Sequence, residues 1–88
     1  MDNTCSRVAI IGIIVDNNDP PDELNSILHN YSEYIIGRMG IPYKKSNIGI
    51  ISIAVDAPET VISAMSGKIG RLPGISTKTL YSKVKNIT

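Results

Sequence analysis

The sequence has no phenylalanine, no tryptophan, one cysteine and one histidine. Each shortage excludes something. Without Phe or Trp the core must be aliphatic, and isoleucine is its main filler. A lone Cys5 cannot close an internal disulfide, so nothing in the chain asks for an oxidising compartment. No histidine stands near Cys5 in sequence, which makes it an incidental thiol rather than a nucleophile. Charge of one sign is scarce as well: a net charge of +1 argues against a general affinity for phosphate backbones or anionic membranes. The opening MDNTCSR has no basic segment followed by an apolar one, and no apolar run approaches the roughly 18 residues of a membrane span. The expectation is a soluble cytoplasmic protein with no membrane contact.

What is present fits one small domain. A chain of 88 residues with 42% apolar composition can build one core, burying roughly 60 to 65% of its unfolded surface, with a stability of about 4 to 13 kcal/mol. Its most informative feature is a repeat. Ile11 to Asp16 reads IGIIVD and Ile51 to Asp56 reads ISIAVD. In both, alternate residues make one strongly apolar face, the signature of an extended strand. After each aspartate comes a proline, Pro21 or Pro58, that opens a helical pattern. Leu24, Ile27, Leu28 and Tyr31 stand at the same offsets from the first proline as Val61, Ala64, Met65 and Lys68 from the second. Two copies are too few for a solenoid; two strand-helix-strand units sharing one sheet is the simpler reading.

Charge is unevenly spread. The first 33 residues hold Arg7 against Asp2, Asp16, Asp19, Asp22, Glu23 and Glu33, whereas beyond Glu59 there are only basic residues. The helices account for much of this, since Asp22, Glu23 and Glu59 fall in first turns and Lys68 and Arg71 near a helix end.

Taken in order, residues 1–6 form a polar tail expected to be flexible, and residues 7–88 a single domain. The first strand runs from Arg7 to Val15, and the turn Asp16 to Asp19 is rich in side chains that bond to nearby backbone. Asp19 or a neighbour is the expected cap of the helix that Pro21 opens and that runs to Ser32. His29 lies off its apolar stripe, about 140° from Leu24, and so belongs to solvent. Tyr34 to Met39 is a second strand, with GIPYKKSN as a loop. The third strand, Ile48 to Asp56, leads to a helix over 58–71 whose core stripe is Val61, Ile62, Met65, Ile69 and Leu72. A polar strand from Ile75 to Val84 completes the chain.

Strands apolar on both faces belong at the centre and polar ones at the edges. The order strand, helix, strand, strand, helix, strand then gives an α+β, ferredoxin-like βαββαβ sandwich, a four-stranded antiparallel sheet with two helices on one face. Ile10, Ile14, Ile50 and Ala54 would point away from the helices, a patch of roughly 300 to 400 Å² that approaches the limit for a monomer. These four are therefore the expected oligomer interface. The fold alone decides no function. The two central strands carry no aromatics for RNA stacking, the first turn has Asn17 and Asn18 where metal carriers of this shape have cysteines, and no glycine-rich phosphate cradle is present. No enzyme activity, metal or cofactor is expected.

The strings VAIIGIIVD, YIIGRMGIPY, AVDAPETVISAMSGKIGRLPG and KTLYSK cover nearly the whole chain. In that combination the sequence resembles a small family of putative regulators of the iron-only hydrogenase system. That family looks like an ACT-type regulatory domain and is similar in fold to the C-terminal half of nickel-responsive repressors. The resemblance implies a homo-oligomeric regulator, dimer or tetramer, that senses or relays a small effector bound between subunits. This sequence departs from both relatives. Asp22 follows Pro21 where amino-acid-binding ACT domains carry glycine, and where nickel repressors bind metal with several histidines and a cysteine, His29 and Cys5 are the only candidates. No ribbon-helix-helix or helix-turn-helix segment is present, so no direct nucleic-acid binding is expected.

Within the resemblance, the candidate effector-binding residues are Asn17, Asn18, Arg38, Tyr43 and Lys68. Each has a structural reading beside it. The asparagines make a turn, Arg38 pairs with Glu33 or Asp56, Tyr43 covers the rim of the core, and Lys68 favours a helix end. The alternative to an effector-binding module is a protein-interaction adaptor that uses its open sheet face or an edge strand and needs no small molecule.

Overall fold

Alternation in the isoleucine-rich runs becomes pleat in the computed structural model, which describes residues 5–17 and 19–87. The elements are β1 (Cys5–Asp16), α1 (Asp22–Asn30), a 3-10 turn (Ser32–Tyr34), β2 (Ile35–Tyr43), β3 (Ile48–Ala57), α2 (Glu59–Gly70) and β4 (Ile75–Ile87). They form a four-stranded antiparallel sheet in the order β2-β3-β1-β4. This is the ferredoxin-like α+β sandwich, with the isoleucine-rich strands at its centre and the more polar ones at its edges.

Register makes the repeat visible in space. The equivalent residues Gly12 and Ser52 stand directly opposite each other in the β1–β3 ladder. On either side Ile11 pairs with Ile53 and Ile13 with Ile51, so the two copies exchange places across that point. A local twofold axis therefore passes through the Gly12–Ser52 pair. It reappears between the helices, where Tyr31 and Lys68, at matching offsets from their prolines, meet. The Lys68 ammonium donates to the Tyr31 hydroxyl at 3.0 Å and lies 5.2 Å from its ring centre.

The core sits between sheet and helices. Ala9, Ile11, Ile13 and Val15 of β1 and Ile53, Val55 and Ala57 of β3 are buried against Leu24 and Leu28 of α1 and Ile62, Met65 and Ile69 of α2. Val61 and Leu72 flank the α2 stripe, half-buried. No polar or charged residue is buried among the described residues, so the core has no buried ion to desolvate.

Several boundaries differ from expectation. β1 begins at Cys5, inside the stretch read as a tail, while residues 1–4 lie outside the described residues. α1 ends at Asn30, because the chain tightens at Tyr31 into the 3-10 turn; the Tyr31 amide donates to Ile27 at 3.1 Å. Its N-cap is Pro21, in extended conformation and with no side-chain capping bond, so Asp19 is not the cap. Asp19 lies two residues too early to reach the first turn's amides from the cap position. β2 runs on to Tyr43 through the part of GIPYKKSN read as loop, leaving only residues 44–47 as a turn. Pro42 does not stop the strand because β2 is an edge and an edge residue can do without one ladder donor.

Candidate functional site: the helix-free face of the sheet

Side chains alternate, so the strands that bury one set of residues under the helices must present the other set to the opposite side. On β1 this second set is Val8, Ile10, Gly12 and Ile14, and on β3 it is Ile48, Ile50, Ser52 and Ala54. Their partners on β4 are Ser76, Lys78 and Leu80. On β2 the pairing slips between Ile35 and Gly37, which marks a bulge at Ile36. One extra residue reverses the side to which every later residue points. Arg38, Gly40 and Pro42 thereby share the helix side, and Met39, Ile41 and Tyr43 join the open face.

The result is a broad apolar surface. Ile10 is 44% exposed, Met39 54%, Ile41 45%, Tyr43 42% and Leu80 70%, and Ile14, Ile50 and Ala54 are half-buried by their neighbours alone. Four strands about 4.8 Å apart and nine residues at about 3.3 Å each give a projected area of roughly 500 Å², before side-chain relief is added. That is at the upper end of what monomers expose. Ile10, Ile14, Ile50 and Ala54 do lie together on this face; Met39, Ile41 and Leu80 are members that the alternation pattern alone did not reveal.

At its middle the face is hollow. The row across the sheet is Met39, Ser52, Gly12 and Lys78. With no side chain on Gly12 and a short one on Ser52, a concavity of about 420 Å³ opens between Ile14, Ile50, Ser76 and Lys78. A second hollow of about 210 Å³ lies between Val8, Ile10 and Leu80.

The candidate effector residues are spread more widely. Asn17 follows the end of β1 with a left-handed backbone (φ 62°), as its place in a turn requires. Asn18 lies outside the described residues. Tyr43 shares the open face and the same end of the sheet as Asn17, since Asp16, Ile48 and Tyr43 are successive ladder partners. Arg38 is exposed on the helix side of the edge strand, and Lys68 is engaged by Tyr31 in the helix layer. Asn17 and Tyr43 are thus brought to one end of the sheet, whereas Arg38 and Lys68 stand apart from them and from each other. Among the described residues no three of His, Cys, Asp and Glu come together as a metal-ligand group, and no helix is long and apolar enough to cross a membrane.

Comparison with known proteins agrees with the fold. Residues 7–79 match the TM1266-like family, described as "Iron-only hydrogenase system regulator, putative". The solved structure of the uncharacterized protein TM1266 from Thermotoga maritima superposes with a TM-score of 0.82 at 34% sequence identity, over 89% of this chain and 99% of that one. No curated protein matches. With most of its length matched, this chain belongs to the TM1266-like family of putative iron-only hydrogenase system regulators.

Proposed function

We propose that this chain is the regulatory module of a homo-oligomer in which a second copy covers the helix-free face and a small effector is sensed or relayed at the contact. The family description gives the broad role, regulation of an iron-only hydrogenase system. The observation that carries the finer reading is the continuous apolar surface of Ile10, Ile14, Met39, Ile41, Ile50, Ala54 and Leu80. A stable pair buries about 800 Å² on each partner, and this face, with its relief, is of that order. The sheet edges favour assembly through the face. Pro42 and the bulge at Ile36 blunt β2, and the exposed Lys78 and Lys83 stand on β4, all devices that discourage strand addition.

A thermal-shift screen of the purified protein across amino acids, nucleotides and divalent metals tests the effector half. A ligand at 100 times its dissociation constant raises stability by about 2.7 kcal/mol, several degrees for a domain this size. An oligomer that responds to no compound class would favour the adaptor reading, for which the exposed Ile36 (62%) on the outer strand is the supporting observation.

A further inference from the structure

β2 is the strand whose register burial does least to fix. Every residue from Ile36 to Tyr43 is exposed, on both sides of the sheet, whereas β1 and β3 each lock one side into the core. Register is strongly specified where one side of a strand is buried, and weakly where a strand is glycine-rich or open on both sides. Gly37 and Gly40 loosen it further, since a Cβ on either would meet nothing within 4 Å. The bulge at Ile36 is not fastened either. Neither Ile36 nor Gly37 has a positive φ, so this is not the kind of bulge that a left-handed glycine locks in place.

The ladder itself defines the other register. Continued without a bulge from the Ile35–Val55 pair, it would set Arg38 opposite Ser52, Met39 opposite Ile51 and Ile41 opposite Gly49. Met39 and Ile41 would then point to the helix side, and Ile36 and Arg38 to the open face. The helix side has room for them. Arg38, Gly40 and Pro42 are exposed there, and Ile51 is left half-buried while Ile53 and Val55 on the same side of β3 are fully buried. Next to Ile51 lies a hollow of about 280 Å³ whose other walls include Val15, Pro20 and Gly49. Ile41 would stand over Gly49, which has no side chain to oppose it, and Pro42, with no amide to give the ladder, would open a longer turn to Ile48.

We propose that β2 is a register switch: with the bulge at Ile36 it presents Met39, Ile41 and Tyr43 to the open face, and a one-residue slip that removes the bulge turns Met39 and Ile41 into the hollow beside Pro20 and brings Arg38 out opposite Ser52. The bulged register completes the apolar field. The slipped register strips the field of its outer row and places a cation there, so a partner on the open face selects the bulged form. That regulation rests on the subunit contact proposed above; the two registers themselves do not.

The test traps each register by a disulfide in the full chain, with Cys5→Ser to remove the native thiol. Gly40→Cys with Ile51→Cys joins positions that face each other only while the bulge is in place. Met39→Cys with Ile51→Cys joins positions that face each other only after the slip and otherwise lie on different sides of the sheet. Both pairs are expected to close within one chain, as read by mass spectrometry of dilute oxidised samples. The form trapped through position 39 should associate roughly tenfold or more weakly in sedimentation than the form trapped through position 40. In the unmodified chain, ¹⁵N relaxation dispersion should show microsecond-to-millisecond exchange confined to β2 and its partners on β3. Closure of the position 40 pair without closure of the position 39 pair overturns the switch. Should the Met39→Cys variant fail to fold, the unmodified chain decides, and flat dispersion profiles across β2 overturn the switch. Two trapped forms that both close and both sediment as single chains would support the switch and overturn the subunit contact.

Discussion

Arg7 shows what a single residue does here and how little of it is written locally. Its guanidinium pairs with Glu59 in the first turn of α2 and lies 5.4 Å from the ring centre of Tyr81 on β4, tying the start of β1 to two other elements. Glu59 is legible in sequence as a carboxylate at a helix N-terminus, but its partner, 52 residues away, is not. The ion pair is partly solvated, at 22% and 48% side-chain exposure, so it contributes only a few tenths of a kcal/mol to about 1; contact with the Tyr81 ring adds about 0.5 to 1. Arg7→Met should therefore lower stability by about 1 kcal/mol, with Glu59→Gln costing less, as read from urea midpoints. A loss under 0.3 kcal/mol for Arg7→Met would mean that the clamp is idle in solution. Ile53 stands at the other extreme, with no exposure at all at the centre of the core. Ile53→Ala should cost about 2 to 5 kcal/mol, enough to unfold much of a domain this small at 37 °C, measured by thermal denaturation.

At the scale of elements, the turn into β4 is where backbone geometry is most demanding. Gly74 has φ 74° and its carbonyl accepts the Asp16 amide at 2.9 Å, which fastens the end of β1 to the loop before β4. Gly74→Ala should cost about 1 kcal/mol or more and lower the midpoint by about 4 to 8 °C, whereas Asn17→Gly, at a residue with the same handedness, should be neutral or stabilising. Equal midpoints for Gly74→Ala and the parent would contradict the turn geometry. The elements were largely readable: the repeated IGIIVD and ISIAVD runs marked the central strands, and the stripe Val61, Ile62, Met65, Ile69 and Leu72 marked the buried side of α2. β2 was read too short, because Gly40 and Pro42 are loop signals in a general context and acceptable only on an edge. The bulge at Ile36 left no compositional mark beyond the neighbouring Gly37, yet it decides that Met39, Ile41 and Tyr43 face away from the helices. The candidate effector residues were harder still. They were chosen one at a time by residue type. Arg38 and Tyr43, five residues apart, fall on opposite sides of the sheet by simple alternation once both belong to β2, but the loop signals of Gly40 and Pro42 place Tyr43 outside the strand when only the sequence is read.

For the molecule as a whole, the two sides of the sheet differ in what they are given to bury. Two helices cover the β1 and β3 residues of one side, and the other bears an apolar field broken by the row of Ser52, Gly12 and Lys78 and by Ser76. A charge placed in that field should separate the copies without harming the fold, since the altered side chain stays in water in a lone chain. Ile14→Lys and Ile50→Lys are each expected to weaken association at least a hundredfold, measured by dilution in an analytical ultracentrifuge, while circular dichroism stays that of the parent. The most direct measurement is sedimentation equilibrium of the unmodified chain at micromolar concentration. A mass that is a whole multiple, two or more, of the 9.5 kDa chain is the predicted result, and a mass of one chain across that range would contradict the covered face and the effector site placed at it.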